Sequence, residues 1–453
     1  MTQRFYIISK YYNKILSIRN KYKVIKTLYF KRIKASNFKS FKELDINLDK
    51  FNTIIGPNAS GKSNFLSIIR FFKDIVAYGL GNAFSLHGTI NNVKNIALNQ
   101  KDIKFEISLG NETAYIVSSF EKDKQRYGFK IKDSDYSLTI EAGKNHRDFK
   151  ITHEEYRNHV QIYKLKRDEK KEKFIEIKET IQEGFITIIK KNGKLIFEKE
   201  PEDLPIEREQ VIYDKGLLIN EYGGDIFKDK ILLNHPFILT GYYIEVQTFF
   251  EGISVYDIDP KLPKRAIPFT GRQELEENGR NIAIVLNNIY QDKKEQEKFN
   301  KLLKDLLPFV EDLKVDRLRD ESFITCLREC YHDHYFPAYL LSDGTINIVA
   351  LIVILFFEEK SVIVIEEPDR NLHPLLLSRI IYMMEDVSKT LGKQIIITTH
   401  NPEIVRYVDQ KKVITIDRNK AGFSQMSKPS EKAELAVFLK DMGIADLFLE
   451  GIL

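Results

Sequence analysis

The sequence predicts an α/β fold: a mainly parallel sheet assembled from both ends of the chain, with a long α+β lobe inserted between them. Three observations carry this. Short apolar runs of the kind that form buried parallel strands occur at 51–55 and again at 361–365, 394–398 and 413–416. The late runs alternate with segments of helical period, which is the pattern of strands and crossover helices. Between the two ends, from about 103 to 141, the period switches to two with turn residues between, the mark of an antiparallel meander.

Taken in order, residues 1–28 read as a basic extension. Residues 29–36 alternate and read as a first strand, and 45–49 as a second. The apolar strand 51–55 runs into a glycine-bearing loop. A helix follows, with Phe65, Ile68, Ile69, Phe72 and Ile75 at helical spacing. Strands follow at 103–107, 115–120 and 127–131. The Lys- and Glu-rich stretch 153–182 reads as a solvated helix, about 45 Å long at helical rise. Residues 183–270 are mixed and give no assignment. Helices are expected at 278–290 and 293–306, the second ending near Pro308. Beyond Pro337 come an apolar helix at 343–358, a strand at 361–365, a helix at 373–391, a strand at 394–398, a helix from 402 and a strand at 413–416. No internal repeat is evident. The expected organisation is therefore an extension (1–28), an N-terminal head part (29–110), an inserted lobe (111–270) and a C-terminal head part (271–453).

Composition narrows the class. With 453 residues, 43% of them hydrophobic, the chain can bury a large core and is long enough for two or three lobes. No apolar run reaches 18 residues, so no membrane span and no membrane partner are expected. The basic start lacks an apolar core followed by a small-residue cleavage site, so a secretory signal is not expected. Cys326 and Cys330 are the only cysteines; on a helix they would share a face, but a lone CxxxC pair is weak evidence for zinc and no metal site is expected there. A reducing, cytoplasmic location fits this usage. The net charge of +5 is unevenly placed: residues 1–42 hold twelve Lys and Arg and no acid, leaving 58 basic and 65 acidic residues elsewhere, a net −7. The chain is thus not a uniformly basic nucleic-acid binder, though its start could meet a polyanion. A solvated terminus is the plainer reading of that start.

The chemistry begins at Gly56-Pro57-Asn58-Ala59-Ser60-Gly61-Lys62-Ser63, which matches GxxxxGK[ST] between an apolar strand and an amphipathic helix. Backbone N–H groups of such a loop and of the following helix start point at phosphates. Gly61 allows close backbone approach, Lys62 supplies charge to the β and γ phosphates, and the Ser63 hydroxyl can ligate Mg²⁺. A second site is the strand Val362-Ile363-Val364-Ile365 ending in Glu366-Glu367-Pro368. Buried strands of open α/β sheets deliver ligand-binding groups at their C-terminal ends. Glu366 is expected in the Mg²⁺ shell, and Glu367 is expected to polarise the attacking water. A third strand ends in Thr398-Thr399-His400, whose imidazole could reach the γ-phosphate.

These residues resemble a known family. The loop from Gly56 to Asn64, the Leu341-Ser342-Asp343-Gly344-Thr345 stretch, the Glu366-Glu367-Pro368-Asp369-Arg370-Asn371-Leu372-His373-Pro374 run and Thr398-Thr399-His400-Asn401-Pro402 stand in the order of an ABC-type ATPase. They resemble Walker A, signature, Walker B with D-loop, and H-loop. The flavour is that of the RecF/SMC/OLD-like branch, including the predicted AAA-type ATPases of prokaryotes. Asn37-Phe38-Lys39-Ser40-Phe41 and Asn278-Gly279-Arg280-Asn281-Ile282-Ala283 resemble that branch too. The resemblance covers roughly 29–110 and 270–453 and implies a P-loop NTPase of ABC-ATPase head type that takes ATP and Mg²⁺. It also implies a homodimer with ATP sandwiched between heads. Ser342 and Gly344 of one head would contact the γ-phosphate bound by the other, and Asp369 would lie across the interface. Ala59, Asp343 and Glu366 depart from residues commoner in the family, and Gln100 is the candidate for the Q-loop.

Several readings of the coupled process stay open at the sequence level. One is an ATPase acting with DNA, or with a separate nuclease or effector protein, in repair or phage-defence-like processes. Another is a nucleotide-gated scaffold with little turnover, and a third is a transporter subunit. The roughly 290 residues between Gly56 and Ser342 exceed the gap that transporter heads resemble. The 153–182 segment is too short for an SMC arm, and the 53 residues after His400 are too few for the nuclease domain of OLD-type proteins. The ending Gly443–Leu449 resembles the tail of stand-alone predicted ATPases.

Overall fold

The computed structural model describes residues 28–112, 116–122, 124–143, 148–168, 173–191, 194–212, 231–235, 238–432 and 443–450. Most of the expected basic extension lies outside them. In chain order the elements that matter here begin with strands β1 (Leu28–Phe38), β2 (Phe41–Asn47) and β3 (Phe51–Ile55) and helices α1 (Lys62–Tyr78) and α2 (Leu80–Leu86). Strands β4 (Asp102–Asn111), β5 (Ile116–Lys122), β6 (Gln125–Ala142), β7 (Phe149–Asp168), β8 (Lys173–Lys191) and β9 (Lys194–Glu200) and helix α3 (Thr240–Glu251) follow. Next come β10 (Ile253–Tyr256), β11 (Ile267–Pro268), α4 (Ile282–Ile289), α5 (Lys293–Leu306), β12 (Val310–Arg317), β13 (Ser322–Glu329) and β14 (Tyr335–Pro337). The last stretch holds α6 (Asp343–Phe356), β15 (Val362–Glu366), α7 (Pro374–Thr390), β16 (Gln394–Thr399), β17 (Val413–Arg418), β18 (Ser424–Ser427) and α8 (Ile444–Leu449).

Two compact units result. One takes the described residues up to Leu48 together with Ser67–Glu251; the other takes Asp49–Leu66 and the described residues from Gly252 onward. This division differs from the organisation expected at 110 and 270. The reason is the hydrogen-bond ladder: β1 pairs with β2 on one side and β4 on the other, and β4 pairs with β6, so the early strands belong to the sheet of the inserted lobe.

The first unit is built on an antiparallel sheet of order β2-β1-β4-β6-β7-β8-β9, with β5 on β6. The second strand starts earlier than the expected 45–49 because Lys39 adopts φ +45° and turns the chain so that Phe38 faces Phe41. Aromatic rings fill the core: Phe105 lies 5.1 Å from Phe72 and 5.6 Å from Phe71, and Phe30 lies 5.0 Å from Phe249. A buried polar cluster forms around Glu154 within it. The Tyr136 hydroxyl donates to Glu154 Oε1 at 2.6 Å, the Leu232 N–H donates to the same oxygen, and Lys190 Nζ lies 3.5 Å from Glu154 Oε2.

The expected helix at 153–182 is overturned: the described residues of the segment belong to β7 and β8, which pair antiparallel. In β7, Glu154, Tyr156, Asn158, Val160 and Ile162 are buried while the residues between them are not, a period of two that ends at the register shift beside Tyr163. Where side chains are described, Arg157, Gln161, Lys164 and Lys166 lie on the more open face of an antiparallel sheet and Tyr156, Val160 and Ile162 on the covered face, with Glu154 buried among the latter.

The second unit holds the parallel sheet, in order β10-β15-β16-β3-β17, with β18 antiparallel at the edge. As expected, the strand from the start of the chain completes the sheet built from its end. Helix α6 is apolar nearly all round and buried from Thr345 to Leu355, as a helix wrapped by core must be. α4, α5 and α7 pack into the same cluster, and α5 ends before Pro308 as its sequence requires. A small antiparallel sheet places β13 between β11 and β12 and carries β14. Cys326 lies on strand β13 and is buried, while Cys330 lies past its end and is exposed, so the two do not share a helix face. No helix among the described residues is long and apolar enough to cross a membrane.

Candidate nucleotide site

Strand register assembles the site. Parallel pairing sets Ile55 opposite Thr399, Glu366 opposite Thr398, and Tyr256 opposite Ile365. The residues that follow those strand ends (Gly56, Glu367, His400 and Asp257) therefore leave the sheet at one C-terminal edge, where open α/β sheets hold ligands. A cleft of 410 Å³ opens there.

The loop after β3 is tightly determined. A Cβ on Gly56 would come within 2.1 Å of the Ile416 carbonyl oxygen, so no side chain fits there. Ala59 takes φ +63° and Gly61 φ +116°. Ala59 thus adopts the left-handed conformation that the family's glycine would adopt freely. Arg418 Nε donates to the Ala59 carbonyl at 2.9 Å, and Ser424 Oγ donates to the Ser60 carbonyl at 2.6 Å, so the β17–β18 hairpin braces the loop. Lys62 opens α1, and its Nζ donates to the carbonyls of Gly56 at 2.7 Å and Pro57 at 2.9 Å. Burial lowers the pKa of this amine, against the opposing pull of Glu367 and Glu366. Ser63 Oγ donates to Glu366 Oε2 at 3.1 Å, which brings the two expected Mg²⁺ ligands together.

Glu366 ends β15, and Glu367 turns off it at φ +46°. Glu367 Oε1 lies 2.8 Å from His400 Nδ1, and Oε2 accepts from Arg370 Nη2 at 3.1 Å. Burial alone would push this carboxyl up; the bonds from His400 and Arg370 outweigh it and hold the group below the usual carboxylate range. Arg370 Nη1 also donates to Asp257 Oδ1 at 3.2 Å.

The expected trans-acting residues lie off the cleft wall. Ser342 caps α6, its Oγ accepting from the Thr345 N–H at 3.1 Å. Asp343 is paired with Lys264 at 2.5 Å. A Cβ on Gly344 would meet the Asn371 carbonyl oxygen at 2.6 Å, so this glycine is required by its own chain. The Asp369 carboxylate accepts from Thr399 Oγ1 at 3.1 and 3.2 Å, turned toward its own β16; burial pushes its pKa up against those bonds. Gln100 lies in the first unit, where its carbonyl accepts from Asn37 Nδ2 at 3.2 Å.

Asn58, Ala59, Gly61, Lys62, Ser63, Asn64, Glu366 and Glu367 line the cleft as a group. Sequence reading gave no role to Asp257, Arg370 or Arg418, which line it too. Asp257 follows the short β-prone run Ile253-Ser254-Val255-Tyr256 in a stretch that gives no assignment; that run ending in an acid is the available signal.

The set fits a nucleotide with Mg²⁺. An ammonium group is held by main-chain carbonyls of its own loop, a hydroxyl adjoins a carboxylate, and Ser60 Oγ is buried without a hydrogen-bond partner. Magnesium characteristically takes few protein ligands and completes its shell with phosphate oxygens and water.

Residues 29–222 match a family model described as an AAA ATPase domain, and residues 253–406 one described as an AAA domain, putative AbiEii toxin, Type IV TA system. The chain is similar to the chromosome partition protein Smc of Methanocaldococcus jannaschii, 30% identical over 116 residues, taking in 21% of this chain and 10% of that protein. It is also similar to the endonuclease GajA of Bacillus cereus, 37% identical over 70 residues, taking in 15% of this chain and 12% of that protein. The chain is thus similar, along most of its described length, to AAA-type ATPases of the ABC/SMC-like kind. Its matched stretches span only about a tenth of the length of these two relatives. Among solved structures, the chain resembles an Smc head bound to the C-terminal winged-helix domain of ScpA at 16% identity and TM-score 0.42, covering 88% of this chain and 97% of that one. It also resembles an Smc head with extended coiled coil bound to the C-terminal domain of ScpA, derived from Pyrococcus furiosus, at 13% identity and TM-score 0.43, covering 91% and 99%.

Proposed function

We propose that this head binds ATP with Mg²⁺ and hydrolyses it, with Glu367 as the base toward water and two copies closing face to face over the nucleotides. The observation that supports this most is the meeting of Ser63 Oγ and Glu366 Oε2 at 3.1 Å beside Lys62 and Glu367. Bound Mg²⁺ supplies charge neutralisation and orientation of the phosphates. Ser63 and Glu366 would hold it, the carboxylate directly or through water. Lys62 exchanges the carbonyls of Gly56 and Pro57 for phosphate oxygens, with the loop from Gly56 to Asn64 lending its N–H groups. Glu367, kept ionised, accepts a hydrogen bond from the attacking water, and His400 holds its other side. Ser342, Gly344 and Asp369 act across the interface, so turnover requires two heads.

The coupled process is proposed to be action on DNA, or control of a separate nuclease or effector chain, in repair or defence. What favours this direction is that one relative is a chromosome partition protein and the other an endonuclease. Light scattering on Glu367→Gln, expected to bind ATP without cleaving it, tests the dimer: MgATP should double the mass and MgADP should not. A monomer under saturating MgATP would refute the closed pair. A rise in wild-type hydrolysis with double-stranded DNA supports the DNA branch, and indifference to DNA turns the search to a protein effector.

A further inference from the structure

The turn after β15 carries a side chain that the chemistry above leaves unused. Glu367 sits at φ +46°. This left-handed conformation costs a non-glycine residue on the order of 1–3 kcal/mol and persists only where the surroundings over-determine it. Here they do. The Glu367 N–H donates to the Thr398 carbonyl at 2.8 Å, and the Arg370 N–H donates to the Glu367 carbonyl at 3.0 Å, closing a turn. That turn brings the Arg370 side chain back to Glu367, where Nη2 donates to Oε2 at 3.1 Å, while Oε1 lies 2.8 Å from His400 Nδ1. The other arm of the guanidinium donates to Asp257 Oδ1 at 3.2 Å, just past β10. The Arg370 carbonyl is itself held by Asn347 Nδ2 of α6 at 2.5 Å.

Both oxygens of one carboxylate are therefore gripped by donors from two elements, and the gripping arginine is anchored at its head and at its backbone. The Arg370 side chain lies on the cleft wall and is 39% exposed, so it is not merely filling a core. A planar fork can bridge two carboxylates in fixed directions; an ammonium cannot.

We infer that Arg370, steadied by Asp257, is the positioning residue that sets the orientation of the Glu367 carboxylate for catalysis. The inference rests on Glu367 being the base. Without Arg370 the carboxylate is tethered at one oxygen and turns about its side-chain torsions. A misplacement of about 1 Å at a reacting group costs on the order of a hundredfold in rate.

The test is steady-state hydrolysis of MgATP by full-length wild type, Glu367→Gln, Arg370→Ala, Arg370→Lys and Asp257→Asn, with affinity measured separately using a fluorescent ATP analogue. Arg370→Ala should lower kcat about 10- to 100-fold while KM and analogue affinity stay within about twofold. Arg370→Lys should recover little, and Asp257→Asn should fall between. Guanidinium ion at low millimolar concentration should restore part of the Arg370→Ala rate, which a merely structural role would not produce. Wild-type kcat in Arg370→Ala, or a loss confined to affinity, overturns the inference. If Arg370→Ala does not fold, Arg370→Lys and Asp257→Asn decide by the same split. Undiminished hydrolysis by Glu367→Gln would remove the base assignment itself. An inactive Glu367→Gln beside a fully active Arg370→Ala would remove the positioning role alone.

Discussion

Gly344→Ala puts the link between the α6 start and the Glu367 turn under direct test. The added Cβ would lie 2.6 Å from the Asn371 carbonyl oxygen, a main-chain atom that cannot rotate away. The loop on that side has little slack: Asn371 is at φ +62°, and the Arg370 carbonyl is bonded to Asn347 at 2.5 Å. Relieving the clash needs a shift of about 1 Å, and such overpacking typically costs about 1–3 kcal/mol. Alanine returns up to about 1 kcal/mol through helix propensity, less near a helix start. The net is a destabilisation of about 1–2 kcal/mol. For a domain of about 150–250 residues this lowers the melting temperature by about 2–4 °C per kcal/mol. The same shift moves Arg370, so kcat should fall about tenfold or more with ATP affinity nearly unchanged. Thermal denaturation and steady-state MgATP hydrolysis are the assays. A Gly344→Ala protein as stable and as active as wild type would refute the reasoning.

Other substitutions probe separate parts of the account. Lys62→Ala removes the amine proposed to meet phosphate oxygens; a loss of about 2–3 kcal/mol corresponds to about 30- to 150-fold weaker ATP binding by equilibrium titration. Unchanged affinity would contradict the phosphate site. Asn281 is fully buried and joins three main-chain groups, accepting from the Glu276 N–H at 2.8 Å and donating to the carbonyls of Arg272 at 2.9 Å and Glu274 at 2.8 Å. Asn281→Ala should cost about 3 kcal/mol in denaturant unfolding, and a cost below about 0.5 kcal/mol would refute the staple. Burial raises the Glu154 carboxyl pKa, against the opposing pull of Lys190, Tyr136 and the Leu232 N–H. A folded pKa above the unfolded one means that its contribution is complete below the unfolded pKa and is lost as pH rises through the folded value. The melting-temperature difference between wild type and Glu154→Gln should therefore tilt against wild type as pH rises above the ordinary carboxylate range; a tilt in its favour would contradict the burial argument.

What the sequence made legible follows from how local each signal is. The strand–loop–helix around Lys62, the apolar runs at 362–366 and 394–399 and the all-apolar α6 carry their own periods, so their elements were found within a few residues. Ser63 and Glu366 are each expected near Mg²⁺ from their own local motifs, and the structure sets them 3.1 Å apart. The Lys- and Glu-rich stretch from 153 was misread because Tyr156 and Val160 satisfy a helical spacing as well as an alternating one. Only the ladder to β6 and β8 decides between them, and it is not local. The division into units was missed for the same reason, since β1 belongs by pairing to strands far along the chain. Arg370 stood in a quoted motif, yet its bond to Asp257 joins residues 113 apart, and no period announces such a pair. Gly344 was assigned to a second copy, and its intrachain reason appears only in the approach of Asn371.

The most direct measurement is MgATP hydrolysis by wild type and Glu367→Gln, with nucleotide binding followed in the same preparations. The account predicts steady turnover in wild type, and in Glu367→Gln retained ATP binding with hydrolysis reduced by at least about a hundredfold. Equal hydrolysis in the two proteins would contradict the assignment of Glu367 and, with it, the proposed chemistry of the cleft.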